Sequence, residues 1–176
     1  HKLALRYNYT NNTGWNGPNA TSMDGGTRSA YARTSLYSMA FANNMYSMNN
    51  LVHSVSLDLN SRLTDNLSNQ FLATFSKLDD VRGTNSDMFP HIDILDGTGT
   101  TTNYMSLGYE LFTWNNAVHN THISVKDDMT LYAGNHKLTA GLTYEYQMAD
   151  NAYMRNGTGY YRYASVDDFI NGAAPE

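Results

Sequence analysis

Apolar and polar residues alternate along five segments of this chain, the pattern of a β-strand with one apolar face. The longest run covers residues 137–148, where even positions from Leu138 to Met148 are apolar or aromatic and odd positions are polar or glycine. Weaker alternation predicts four more strands, so the five lie at about residues 1–10, 50–62, 67–78, 119–132 and 137–148. These strands are long, because strands of soluble proteins usually have about five or six residues.

The connections between the predicted strands differ in length. Three or four residues rich in Asp, Asn and Gly join the second strand to the third and the fourth to the fifth, which indicates tight hairpins. Residues 11–49, 79–118 and 149–176 form long segments that we predict to be loops. Within the second of them, residues 92–94 and 104–107 predict a small hairpin.

Two kinds of antiparallel all-β architecture fit this pattern: a secreted sandwich with one face on a core, and a segment of a transmembrane β-barrel with lipid on one side and water on the other. Three features favour the barrel. The strands have membrane-crossing length, tyrosines gather near the loop ends of strands one and five, and the polar face is charged. Its charged residues are Lys2, Arg6, Asp58, Lys126, Asp128 and Glu145.

The barrel interpretation predicts which side chains face lipid. They share the apolar parity of their strands and are Leu3, Leu5, Tyr7, Val55, Leu57, Leu59, Phe71, Phe75, Ile123, Val125, Met129, Leu131, Leu138, Leu142, Tyr144 and Tyr146. Asp127 has the same parity, which is tolerable only near a membrane boundary. Since bacterial barrels have an even number of strands and at least about eight, we expect the chain to be a piece of a larger barrel.

Composition and charge restrict the function classes. Leu, Ile, Val and Phe are scarce, but a net charge of only -5 and 14 Tyr argue against disorder. The absence of Cys excludes disulfides and thiolate metal sites. Acidic residues outnumber basic ones, so the composition does not indicate nucleic-acid binding.

Catalytic and metal-binding motifs are not apparent. Although the chain has 6 His, His119 and His122 are three residues apart and would lie on opposite faces of a strand. No nucleophile elbow, zinc helix or phosphate-binding glycine motif occurs. We therefore predict a protein that is not an enzyme and has no metal site and no cofactor.

The long segments are rich in aromatic residues, which suit the capture of peptides, sugars or chelates. The candidates for substrate contact are Trp15, Tyr31, Tyr46, Trp114, Arg155, Tyr160, Tyr161, Arg162 and Tyr163. The alternative is that these residues form small cores within the loops, since unanchored loops of about forty residues are uncommon.

Specific strings resemble a known family. The run DDMTLYAGNHKLTAG at residues 127–141 resembles a strand, Gly-Asn-His turn and strand of TonB-dependent outer-membrane receptors, particularly the Oar-like receptors of Bacteroidetes. Residues 160–172, YYRYASVDDFING, are similar to a loop of these receptors that ends in Asp-Phe-x-Asn-Gly. Residues 1–7 and 63–69 resemble hairpin starts in the same barrels.

The resemblance implies a 22-stranded barrel with an N-terminal plug in a bacterial outer membrane, which imports a large or scarce nutrient: a peptide, a glycan or a metal chelate. Its partners would be the lipid bilayer, the rest of the parent barrel and plug, the TonB complex acting through that plug, and a surface lipoprotein above the loops. Because this sequence contains neither a plug nor a TonB box, we expect it to be a C-terminal barrel segment. The alternatives are a secreted, soluble β-sandwich that binds glycans and an adhesive barrel without transport.

Overall fold

The chain is all-β in a computed structural model that describes residues 1–19, 33–99 and 102–176. The strands are β1 (Lys2–Asn16), β2 (Met39–Ala40), β3 (Tyr46–Arg62), β4 (Leu67–Thr84), β5 (His91–Leu95), β6 (Asn103–Leu107), β7 (Ala117–Ala133), β8 (His136–Ala152) and β9 (Tyr160–Tyr163). A 3-10 helix covers Ala42–Asn44, and a short α-helix, α1, covers Val166–Ile170. None of the helices in these residues is long and apolar enough to cross a membrane.

Two compact units share the chain. The first contains residues 1–12, 50–80 and 118–151, and the second contains residues 13–49, 81–117 and 152–176.

The first unit is built on an antiparallel sheet with the strand order β1-β3-β4-β7-β8. Each long strand therefore lies beside the next long strand in the chain, as hairpin connections require. The β3-β4 turn is closed by hydrogen bonds from the backbone N–H groups of Leu63 and Thr64 to the Leu67 carbonyl, at 2.9 and 3.1 Å. At the β7-β8 turn Gly134 has a φ of 60°, a left-handed conformation that glycine adopts without strain.

The long strands extend beyond the predicted bounds. β1 continues past residue 10 to Asn16, β4 past residue 78 to Thr84, and β8 past residue 148 to Ala152. The prediction that residues 11–49, 79–118 and 149–176 are loops is therefore wrong in part, because these segments contain strand ends and all the strands of a second sheet. Alternation breaks down at the strand ends, although backbone pairing with neighbouring strands continues.

The sheet of the first unit has almost no buried side chains. All residues of this unit are described, and Ser61 is the one that is buried. β8 is exposed along almost its entire length on both faces. A sheet normally buries its apolar face against another layer, so this unit has no hydrophobic core of its own.

The second unit contains a four-stranded sheet with the order β2-β6-β5-β9. β5 and β6 form the predicted antiparallel hairpin, whereas β2 pairs with β6 and β9 pairs with β5 in parallel. Among the described residues of this unit, the buried apolar side chains are Ile92, Ile94, Leu95 and Leu111. At Gly108, with a φ of 88°, an added Cβ would lie 2.0 Å from the Pro90 carbonyl oxygen, so only glycine fits there.

Candidate functional site

The apolar face of the first unit's sheet consists of the residues predicted to contact lipid. All of them are exposed or half-buried, and Leu5 and Leu142 expose 69% and 82% of their surface. Leu3, Tyr7, Leu138 and Tyr144 are also largely exposed. Exposed apolar side chains gathered on one face of a sheet are typical of a surface that contacts lipid or another protein.

Polar side chains on this apolar face are paired with one another. Asn69 donates its side-chain amide to the Asp127 carboxylate at 2.6 Å. His119 Nδ1 lies 2.6 Å from Asp79 Oδ1, and the two groups form an ion pair if the histidine is protonated. The Tyr7 hydroxyl lies 2.8 Å from His53 Nδ1.

The opposite face of the same sheet is polar and forms a groove of about 640 Å³. The residues lining it come from all five long strands and the chain start, and every one is polar. Nine have the parity of the polar face: Lys2, Asn60, Arg62, Ser68, Gln70, Asp128, Thr130, Lys137 and Thr139. His1, Ser61 and Asn69, which have the parity of the apolar face, also line it. Lys126 and Asp128 form an ion pair at 2.7 Å, and the hydroxyls of Thr130 and Thr139 are hydrogen-bonded at 3.0 Å. The groove therefore offers a hydrogen-bonding surface to water or a polar ligand.

Gly141 explains how Asp128 fits on this polar face. A Cβ added at Gly141 would lie 2.0 Å from Asp128 Oδ1 and 2.7 Å from the Asp127 carbonyl oxygen. Any side chain at position 141 would displace the carboxylate and press on the neighbouring strand, so glycine maintains both the strand pairing and the ion pair.

A second polar cluster is buried in the second unit around the carboxylate of Asp93. Arg33 donates from Nε to both carboxylate oxygens, at 2.9 and 3.0 Å, and Ser106 donates its hydroxyl to Oδ1 at 2.6 Å. The Tyr160 hydroxyl donates to Oδ2 at 3.0 Å, and His91 Nε2 lies 3.2 Å from Oδ1. These residues come from four separate stretches of chain, so Asp93 joins them into one network.

The protonation of this cluster follows from its contacts. Burial alone would raise the pKa of Asp93, but the hydrogen bonds and charges of His91 and Arg33 outweigh burial and hold the pKa well below its usual range. Burial and the adjacent carboxylate of Asp93 raise the pKa of the Tyr160 hydroxyl. The cluster thus contains an ionised carboxylate and a neutral phenol over the ordinary pH range.

His91 is held at both ring nitrogens. Because Asp93 is ionised and can only accept, Nε2 of His91 must carry the proton that it donates to Asp93. Nδ1 lies 2.8 Å from the side-chain nitrogen of Asn44 and 3.0 Å from the Tyr109 carbonyl oxygen. The side-chain nitrogen of Asn44 also donates to the Gly108 carbonyl at 3.0 Å, which connects the 3-10 helix to the end of β6.

A further ion pair joins half-buried Arg82 through Nη2 to Oε2 of buried Glu110 at 2.9 Å. The guanidinium of Arg82 lies over the ring of Tyr46 at 3.7 Å from its centroid, a cation–π contact. The same Glu110 oxygen accepts from the hydroxyl of Thr113 at 2.7 Å and from the backbone N–H of Phe112 at 3.0 Å. These contacts stabilise the turn that follows β6.

Several predicted substrate-contact residues instead pack within the second unit. Tyr46 stacks on Arg82, Tyr160 points its hydroxyl at Asp93, and the ring of Tyr163 contacts Phe169 edge-on at 5.1 Å. Arg162 Nε donates to the Glu176 carboxylate at 3.1 Å. For these residues the structure is consistent with the alternative interpretation, in which the long segments form their own cores.

The other candidates lie nearer the surface. Trp15 and Tyr161 are exposed, and half-buried Trp114 packs so closely on Gly157 that an added Cβ would lie 2.4 Å from its ring. Arg155 lies over Phe112 at 5.6 Å, and Phe112 stacks with Tyr153 at 6.4 Å. Tyr31 lies outside the described residues.

Sequence reasoning missed the centre of the buried cluster. Asp93 stands between two isoleucines, where alternation indicates the solvent side of a hairpin strand, and its partner Arg33 is 60 residues away. The signal that could have found it is an acidic residue inside a short strand buried on both faces, because such a residue requires a charged partner.

No protein-family model, no curated protein and no solved structure matches this chain. Within residues 1–19, 33–99 and 102–176, no group of three or more His, Cys, Asp or Glu side chains is arranged to hold a metal ion.

Proposed function

We propose that this chain forms part of the wall of a TonB-dependent transporter in a bacterial outer membrane, which imports a peptide, a glycan or a metal chelate. The observation that carries the proposal is the division of one single-layered sheet into two faces. The side chains of its apolar face are exposed or half-buried along the long strands, and its polar face forms a groove that is lined by polar residues alone. This is the division of side chains that a barrel strand requires between lipid and lumen.

Strand length supports the proposal. β3, β7 and β8 have 17 residues each, whereas about 9 to 11 residues suffice to cross a bilayer at the usual tilt. The strands are thus long enough to cross the hydrocarbon region and continue beyond it. The proposal assigns the long segments that contain Trp15, Tyr161 and Arg155 to the extracellular side, where they would meet the transported nutrient.

The two edge strands also fit a larger assembly. β1 and β8 each have one neighbour in the described sheet, so one side of each strand presents unpaired backbone N–H and C=O groups. In the hydrocarbon region such groups must be paired. In the proposed transporter, adjacent strands of the parent barrel would pair with both edges.

A secreted sandwich is less well supported. A sandwich buries the apolar face of one sheet against a second sheet. In this chain Leu5, Leu142 and Tyr144 on that face remain largely exposed. The low content of Leu, Ile and Val is also explained by strands that are apolar on one face and need no internal core.

The absence of native Cys permits a direct test with single cysteines. Leu142→Cys places a label on the apolar face of β8, and Thr143→Cys places it one residue away on the polar face. With an environment-sensitive dye and the chain in lipid vesicles, we expect quenching by brominated acyl chains at position 142 and by aqueous iodide at position 143.

A second pair of variants, Val125→Cys and Ser124→Cys on β7, repeats the comparison on another strand. Equal quenching by iodide at all four positions would contradict membrane insertion. Transport itself requires a separate measurement, the uptake of candidate peptides, glycans and chelates by cells that carry the complete receptor.

A further inference from the structure

The polar groove of the first unit contains more positive than negative charge. Three cationic residues line it, Lys2, Arg62 and Lys137, together with the carboxylate of Asp128. A second carboxylate, Asp58, accepts hydrogen bonds from two of the lining amides, Asn60 at 2.8 Å and Gln70 at 3.4 Å. Asp128 is already paired with Lys126 at 2.7 Å. The chain as a whole has a net charge of -5, so the local charge of the groove is opposite in sign to the net charge of the chain.

The three cationic side chains are available to a ligand. Lys2 and Lys137 are exposed. Arg62 does form an ion pair with Asp65 at 3.0 Å, but the two side chains are 71% and 103% exposed, so water and salt screen this interaction strongly. An acidic ligand group could therefore bind Arg62 with little competition from Asp65.

The hydrogen-bonding groups between these cations suit an extended chain better than a single small anion. Asn60, Ser68, Gln70, Thr130 and Thr139 line the groove together with the cations. They provide amide and hydroxyl groups on β3, β4, β7 and β8, so donors and acceptors are spread across neighbouring strands. A volume of about 640 Å³ accommodates several residues of a peptide but is much larger than a phosphate ion requires.

From this geometry we infer that the polar groove, formed by Lys2, Arg62 and Lys137 with the amides and hydroxyls between them, is a docking surface for an acidic polypeptide segment. Carboxylates of the segment would bind the three cations, and its backbone would bind the amides and hydroxyls. The inference does not depend on the proposed function, because the groove is open to water whether or not the opposite face contacts lipid.

Binding is tested with the complete chain and two synthetic ten-residue peptides, one alternating Glu and Ser and the other alternating Gln and Ser, each with the same uncharged dye. We expect fluorescence anisotropy to detect the Glu peptide and to show at least tenfold weaker binding of the Gln peptide. Raising NaCl from 50 to 300 mM should weaken binding of the Glu peptide severalfold, because screening acts on exposed charges.

Charge-removing variants locate the site. Lys2→Gln, Arg62→Gln and Lys137→Gln should each weaken binding of the Glu peptide by about fivefold. Lys77→Gln is the matched control, because Lys77 lies on β4 with the parity of the apolar face and is half-exposed. It should leave the affinity unchanged. Equal affinity for the two peptides, or an equal loss in Lys77→Gln and Lys137→Gln, would overturn the inference.

Carbodiimide cross-linking of the unmodified chain gives an independent readout that involves no variant. The chain has lysines at 2, 77, 126 and 137. Amide bonds from the Glu peptide should form at Lys2 and Lys137 and be nearly absent at Lys77. Preferential coupling at Lys77, or complete displacement of the peptide by 1 mM inorganic phosphate, would show that the groove is not a peptide site.

Discussion

The two units of this chain differ in the burial of their side chains. In the first unit only Ser61 is buried, and apolar residues such as Leu142 and Leu5 are exposed on a single sheet. In the second unit a small apolar core and a hydrogen-bonded ionic cluster around Asp93 are both buried. The comparison shows that one chain can combine a unit with a buried core and a sheet whose side chains are almost all at least partly exposed.

The difference has a physical cause. The second unit stabilises short strands of two to five residues by connecting distant segments through the Asp93 carboxylate. The first unit has strands of 15 to 18 residues whose backbone hydrogen bonds continue along the sheet, but it gains little from apolar burial. In the proposed transporter, lipid would cover this apolar surface and stabilise it.

The largest expected effect is the loss of the Asp93 charge. Asp93→Asn leaves the guanidinium of Arg33, which is 2% exposed, without its carboxylate partner. Removing one member of a buried ion pair typically costs about 3–5 kcal/mol. Hydrogen exchange should show faster exchange of the β5 and β6 amides, while amides of β8 change little. Asp87→Asn removes an exposed carboxylate of the same unit and should have no comparable effect; a similar loss there would contradict the structural importance of Asp93.

A charge introduced on the apolar face should lower the free energy of unfolding in a bilayer but not in aqueous buffer. Leu142→Arg is expected to cost about 2–4 kcal/mol of folding free energy in lipid vesicles if position 142 lies near the bilayer midplane. Thr143→Arg, on the opposite face of β8, should cost little. The measurement is urea unfolding from vesicles compared with unfolding in aqueous buffer. Equal costs for the two variants in vesicles would contradict the assignment of the two faces.

A smaller effect is expected from removal of one hydroxyl at the centre of the cluster. Tyr160→Phe deletes the donor to Asp93 Oδ2 and should destabilise the second unit by about 1 kcal/mol. Tyr161→Phe is the neighbouring control, because its ring is 44% exposed. The β9 amides should exchange faster in the first variant and not in the second.

The smallest effect near neutral pH comes from titration of Asp93. Its folded pKa lies below the unfolded value of about 3.9, so its stabilisation is complete above about pH 5 and is lost as pH falls through the folded pKa. The difference in unfolding free energy between the native chain and Asp93→Asn should therefore be constant from pH 5 to 7 and shrink below pH 4. A difference that grows on acidification would show that the sign of the pKa shift is wrong.

Much of the first unit could be predicted from the sequence. A period of two specifies which residues share a face, and residues 63–66 and 133–136 contain the turn chemistry that joins neighbouring strands. The ends of the strands could not be predicted, because Asp79, Asp80 and Asp150 interrupt the apolar pattern while the strands continue.

Most of the second sheet could not be predicted from the sequence. The β5-β6 hairpin has a local signal, but the two residues of β2 and the four residues of β9 form strands only because β6 and β5 provide partners. Nor could the sequence show that Tyr160 donates to Asp93 and Tyr46 stacks on Arg82, because an aromatic residue that binds a ligand has the same local pattern as one that packs on its own loop.

The sequence by itself determined the all-β class, the alternating faces and the tight turns, since these depend on neighbouring residues and a repeat of two. Only the tertiary structure decided that Arg33, His91, Ser106 and Tyr160 meet at Asp93 and that Lys2, Arg62 and Lys137 line one groove. These arrangements depend on strand order and on pairing between distant segments. A buried carboxylate is stable only where the folded chain brings its donors together.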